Sequence, residues 1–129
     1  MLNETQAPSA PSLQEHRVEP RMRVKWHADA LIDGVTVYQG FVKDISLSGT
    51  DIFLGANLQK VKSLKMRIYV PPLSKKESPH IMDISGKVVY TSYDSNEFLF
   101  HTGVKFIQFE SETDQAILQS RIKLFNRAK

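Results

Sequence analysis

The sequence predicts a mainly β fold: a six-stranded antiparallel β-barrel with a C-terminal α-helix and a flexible N-terminal arm. Three observations carry that expectation. Apolar side chains alternate with polar ones through Val24, Trp26, Ala28 and Ala30, and again through Leu64, Met66, Ile68 and Val70, the period of a half-buried strand. Asp33-Gly34 lies just beyond the first of these segments and favours a tight hairpin, because both residues tolerate positive φ. Only after Thr113 does the spacing turn helical, with Ile117, Leu118, Ile122 and Phe125 giving one broad apolar face.

Taken in order, residues 1–14 contain two prolines and few large apolar side chains. They bury too little to offset the cost of ordering and are expected to form a flexible tail, leaving residues 15–129 as the single folded unit. Residues 15–23 are polar and basic, and Pro20 bars a continuous helix there, so this stretch is an arm leading into the strand that starts at Val24. A second strand is expected over 35–45 with Gly40 as a bulge, a short one over 50–54, and a fourth over 64–70. Pro71 and Pro72 end the fourth, and the polar stretch to Pro79 reads as an exposed loop. Segments 81–91 and 98–109 form a further hairpin joined near Asp94-Ser95-Asn96. Thr113 is expected to cap the helix from Asp114 onward, with Lys123, Arg127 and Lys129 late in it, as the macrodipole favours.

Composition narrows the function classes. The chain of 129 residues is 41% apolar, enough for one core. It has no cysteine, which excludes a disulfide framework, thiolate zinc sites and cysteine nucleophiles, and suits the cytoplasm. No apolar run approaches the roughly 18 residues of a spanning helix, and the first residues lack the basic patch and apolar core of a secretory signal. Seventeen basic residues against fourteen acidic ones, a net charge of +3, give a mild bias toward anionic partners. That is too small for a protein living on nucleic-acid backbone contacts, and Lys60, Lys62, Lys65, Lys75 and Lys76 read as solvated faces.

The chain offers little for catalysis. His16, His27, His80 and His101 share no metal-ligand spacing, and no nucleophile elbow, P-loop or dinucleotide fingerprint appears. Asp44, Ser46 and His101 supply the residue types of a triad without its spacing. An enzyme is not expected, nor a cofactor or metal.

Two other clusters stand out. Arg17 and Arg21 form an RxxxR element on the arm, with Arg23 close behind; guanidinium forks can grip phosphates or stack on a base. With six arginines in the chain, roughly 0.3 such pairs arise by chance, so this element carries little alone. Asp44-Ile45-Ser46-Leu47-Ser48-Gly49 is a DxSxxG element between two predicted strands. Seven Asp, twelve Ser and six Gly yield roughly 0.03 occurrences by chance. It reads as a turn, in which Asp and Ser bond local backbone and Gly takes positive φ; its acceptor, hydroxyl and backbone N–H groups could also read a guanine edge. At Asp83-Ile84-Ser85 the same tripeptide lacks the glycine, since Val88 stands there, and is ordinary strand sequence.

RxxxR on an arm followed by DxSxxG after the first hairpin resembles the PilZ domain family. Gly86-Lys87-Val88-Val89-Tyr90 and Gly103-Val104-Lys105-Phe106 are similar to its later strands, and the likeness spans about residues 15–125. The resemblance implies a bacterial receptor for cyclic di-GMP. Arg17 and Arg21 would hold phosphates and stack on guanine, and Asp44, Ser46 and Gly49 would contact a guanine. Arg23, Ser48 and Tyr90 are secondary candidates, Tyr90 as an aromatic face. Ser48 stands where a second glycine is common and His16 where another arginine is frequent, which leaves one or two ligands open. Each arginine–phosphate bond contributes about 1.5–3 kcal/mol, against about 1–2 kcal/mol per arm residue ordered. The arm, mobile when free, is thus expected to order on the ligand and signal to an effector protein, in motility or biofilm regulation. The alternatives are a PilZ-like adaptor acting by protein contacts without ligand, and a small barrel binding single-stranded nucleic acid through paired aromatics and cations.

Overall fold

Alternation decides which way each strand faces, and the six strands place their apolar rows on one side. The computed structural model describes residues 19–127; the expected tail and Arg17 lie outside them. The strands are β1 (Met22–Ile32), β2 (Thr36–Ile45), β3 (Gly49–Leu54), β4 (Ser63–Val70), β5 (His80–Asp94) and β6 (Leu99–Phe109), followed by α1 (Glu112–Arg127). All pairings are antiparallel, and the order β1-β2-β3-β6-β5-β4 closes through β1 against β4. The barrel with one C-terminal helix is the architecture expected from the sequence.

Ala28, Ala30, Val42, Ile45, Ile52, Leu54, Met66, Ile68, Met82 and Ile84 fill the interior, each almost wholly buried. Leu118 and Ile122 of α1 join the same cluster, so the helix adds to the barrel core. At about 1.5–3 kcal/mol for each such side chain removed from water, these two residues dominate its attachment. Polar ties add to it. His80 Nε2 lies 2.7 Å from the buried Asp114 carboxylate, and Arg121 Nη1 donates to the Pro71 carbonyl at 2.7 Å.

Asp33 and Gly34 both take positive φ, 58° and 70°, as the first hairpin requires. Two local expectations are corrected. Ser111, not Thr113, caps the helix: its hydroxyl accepts from the Thr113 N–H at 3.2 Å, and the helix starts at Glu112. Gly40 is no bulge; it stays in register with Ala28 and Leu54. Its lack of a side chain is needed because a Cβ there would sit 1.9 Å from the Phe53 carbonyl oxygen. Gly40→Ala is therefore expected to cost about 1–3 kcal/mol by forcing β2 from β3, read as a lowered midpoint in chemical denaturation with an unchanged slope.

Candidate ligand-binding site

Two real bulges aim the site. Val42 pairs with Ile52 but Asp44 pairs with Asp51, so Lys43 is an extra residue on β2. The slip reverses the alternation: Val42 and Ile45 both point into the core, and Asp44 is turned outward beside Asp51. On β5, Val88 pairs with Val104 but Tyr90 pairs with Gly103, leaving Val89 extra. That second slip turns Tyr90 to the same outer face. Bulges re-aim side chains in this way.

Asp44 and Asp51 are thus like charges directly opposite one another, an arrangement that destabilises a strand pair unless a cation intervenes. Arg21, one residue before β1, supplies it. Its Nη1 donates to Asp44 Oδ1 and, at 3.3 Å, to Asp51 Oδ2. Both carboxylates are only 16% exposed, which strengthens the attraction relative to a surface pair. Burial nevertheless raises the Asp44 carboxyl above its ordinary range, and Asp51 pushes the same way; Arg21 opposes both without overcoming them.

The DxSxxG segment is a compact turn. The Ser46 N–H donates to the Gly49 carbonyl at 2.8 Å, and its buried hydroxyl reaches the same oxygen at 3.3 Å. Thr50 Oγ1 donates to the Asp44 carbonyl at 2.7 Å. Gly49 does not adopt the positive φ expected of it. Its reason is close approach, since a Cβ would lie 2.5 Å from the Val104 carbonyl oxygen. Ser48 is exposed at the tip, where its N–H (3.2 Å) and its hydroxyl both donate to Glu19 Oε1. Residues 19–23, expected to be loose, are instead tied to the turn through Glu19 and Arg21, and Met22 already begins β1.

Tyr90 closes the other side. Its hydroxyl donates to Asp51 Oδ1 at 2.5 Å, while its ring lies so near Gly103 that a Cβ there would be 2.3 Å away. Burial first, and the bond to Asp51 second, push the phenol up. His101 stacks on Phe53 with centroids 5.2 Å apart, and Phe53 in turn meets Phe41 at 5.1 Å, with Lys25 over the Phe41 ring. The result is an outer face with one guanidinium held between two carboxylates, a polar turn and an aromatic flank. Such a face suits a planar, polar molecule with both donor and acceptor edges. Among the described residues, no group of three His, Asp or Glu side chains is placed to hold a metal ion, and no helix is long and apolar enough to cross a membrane.

The profile of the PilZ domain matches residues 14–123. The chain belongs to the PilZ family. Solved structures agree in fold. The Bacillus subtilis inhibitor of motility MotI/DgrA matches with a TM-score of 0.69 at 15% identity, over 89% of this chain and 52% of that one. The PilZ domain of Escherichia coli YcgR, solved with c-di-GMP, gives 0.61 at 12% identity, over 88% and 94%. The K. pneumonia MrkH–c-di-GMP complex gives 0.59 at 17% identity, over 91% and 57%. The chain therefore spans about half the length of MotI and MrkH. No curated protein sequence matches it.

Within this PilZ domain, Arg21, Asp44, Ser46, Ser48, Gly49 and Tyr90 of the expected set come together, and Arg23 is exposed on β1 in register with Asp44. Asp51, Glu19, His101 and Gly103 were not foreseen. Asp51 had a signal in the sequence: a hairpin closed over Ser46–Gly49 pairs residue 45 with 50 and 44 with 51.

Because the folded state holds the Asp44 proton more tightly than the unfolded chain, this group costs nothing below the ordinary aspartate pKa. Its cost grows as pH rises and is complete above the raised value. A carbon-detected NMR titration is expected to place Asp44 above the ordinary aspartate midpoint, and lower in Asp51→Asn; a midpoint unmoved by that substitution would contradict the pairing.

Proposed function

We propose that this PilZ domain is a cytoplasmic, non-catalytic receptor for cyclic di-GMP in a bacterial cell, with residues 15–129 as the receptor unit. The observation that carries this reading is the convergence of the arm arginine Arg21 with Asp44 and the Ser46–Gly49 turn on one outer face of the barrel. Membership of the family supports it, as do structural relatives whose structures contain c-di-GMP.

In this reading Arg17 and Arg21 grip the ligand's phosphates and stack on guanine, for which planar charged forks are suited. Asp44 accepts from a guanine N–H edge. Ser46 and Gly49 set the shape of the turn that meets the base, and Ser48 stands at its tip, where its hydroxyl and N–H exchange Glu19 for the ligand. Arg23 and Tyr90 border the ligand as a further cation and an aromatic face. Glu19 and Arg21 anchor the arm at the barrel, and the ligand completes the ordering of the arm. The surface so formed is what an effector protein reads, in the control of motility or biofilm growth, a disorder-to-order switch. No cofactor is needed.

Calorimetric titration of c-di-GMP into the wild-type chain is expected to show saturable binding. Arg21→Ala, which removes a charge-assisted phosphate contact, is expected to weaken it roughly 10- to 100-fold. Wild-type protein giving neither heat nor a shift in melting temperature would contradict the receptor reading and favour an adaptor that works by protein contacts alone. Binding of a single-stranded oligonucleotide in fluorescence anisotropy, without c-di-GMP binding, would favour a nucleic-acid barrel.

A further inference from the structure

Asp44, Ser46 and Gly49 belong to the turn motif, but Asp51 does not, and it is the second carboxylate on the arginine that the ligand needs. One guanidinium bonds two carboxylates, so the bonded trio carries a formal charge of −1 before any anion arrives; around it, Arg23 lies across from Asp44 and His101 Nε2 stands 3.8 Å from Asp51 Oδ1. Asp51 divides its two oxygens: Oδ2 accepts from Arg21 at 3.3 Å and Oδ1 from the Tyr90 hydroxyl at 2.5 Å. The Tyr90 ring reaches it only because Gly103, lying in register between Asp51 and Tyr90, has no side chain to block the path.

We propose that Asp51 is an affinity-setting residue, a built-in competitor that holds Arg21 against the barrel and opposes an incoming phosphate, with Tyr90 tempering its charge. This inference rests on the receptor reading above. A phosphate oxygen drawn to Arg21 enters the space of a carboxylate already bonded to the same Nη1, and like charges at that range repel strongly in a partly buried setting. Asp44 sits equally close, but it belongs to the surface expected to meet the guanine edge, so its negative charge is needed there. Asp51 has no such use. The Tyr90 hydroxyl shares the Asp51 charge with Arg21. Without it, Asp51 turns more of its hydrogen-bonding capacity on the arginine, and the competitor becomes stronger.

The test is calorimetric titration of c-di-GMP into the full chain and its variants, with melting temperatures recorded for each. Asp51→Asn keeps the side-chain shape and removes the charge; it is expected to tighten binding roughly threefold or more, with the gain shrinking as salt is raised. Tyr90→Phe keeps the ring over Gly103 and is expected to weaken binding about twofold, an effect that disappears on the Asp51→Asn background. Asp83→Asn removes the same charge from the Arg67 pair on β4 and β5 and is expected to leave affinity unchanged. A purely structural role for Asp51 predicts weaker binding on substitution, never tighter. Equal or weaker binding by a folded Asp51→Asn protein overturns the proposal, as does an equal gain from Asp83→Asn. Asp51→Ser takes its place if the Asn variant does not fold. Wild-type protein that binds no c-di-GMP overturns this inference together with the receptor reading; wild-type binding without the Asp51→Asn gain overturns this inference alone.

Discussion

The arrangement on which the outer face depends is one guanidinium set between two carboxylates that stand opposite each other on β2 and β3. Two half-buried like charges in register would push the hairpin apart. Arg21 makes the pairing tolerable, and in doing so it fastens the entry of the chain to the turn that closes the hairpin. Glu19 repeats the tie two residues earlier, on the Ser48 N–H and hydroxyl. The start of the barrel and its characteristic turn are therefore one electrostatic unit. Thr50, itself buried, contributes from below, where its hydroxyl donates to the Asp44 carbonyl.

The core has a different logic and is indifferent to this chemistry. Its interior is largely aliphatic, and α1 adds Leu118 and Ile122 to it. A low-identity likeness to the YcgR domain over nearly the whole of both chains follows from that separation: many aliphatic choices fill the same barrel. Surface chemistry can then vary on a retained frame, which is why fold and ligand have to be argued from different residues.

Much of this was legible in the sequence. The strands, the Asp33-Gly34 hairpin and the apolar face of the helix follow from local periodicity and turn chemistry, which act over a few residues. The gathering of Arg21, Asp44 and the turn was legible only through the order of two motifs. What stayed hidden was set by contacts across strands. Gly40 reads as a bulge because a glycine within a strand usually marks one, but its neighbour across the sheet, Phe53, decides the matter. Gly49 looks like a positive-φ position until Val104 is brought beside it. Asp51 and Gly103 are ordinary letters until the register pairs them. Val42 and Ile45, apolar residues three apart where two were due, are the one local sign that the alternation slips.

That slip has a wider meaning. Lys43 and Val89 are exposed residues, and the bulge that absorbs each of them sets the phase of the strand that follows it. Take either one out and the pairs on its two sides become consecutive, so Asp44 stays opposite Asp51 and Tyr90 opposite Gly103; keep it but flatten the bulge, and Asp44 or Tyr90 turns toward the aliphatic interior. In this barrel, count matters as much as identity. A relative with one residue fewer presents the same face on a regular strand, whereas one that keeps the extra residue without the bulge carries the inscription of a binding face without the face, a distinction that residue matching alone does not see and that strand arithmetic does.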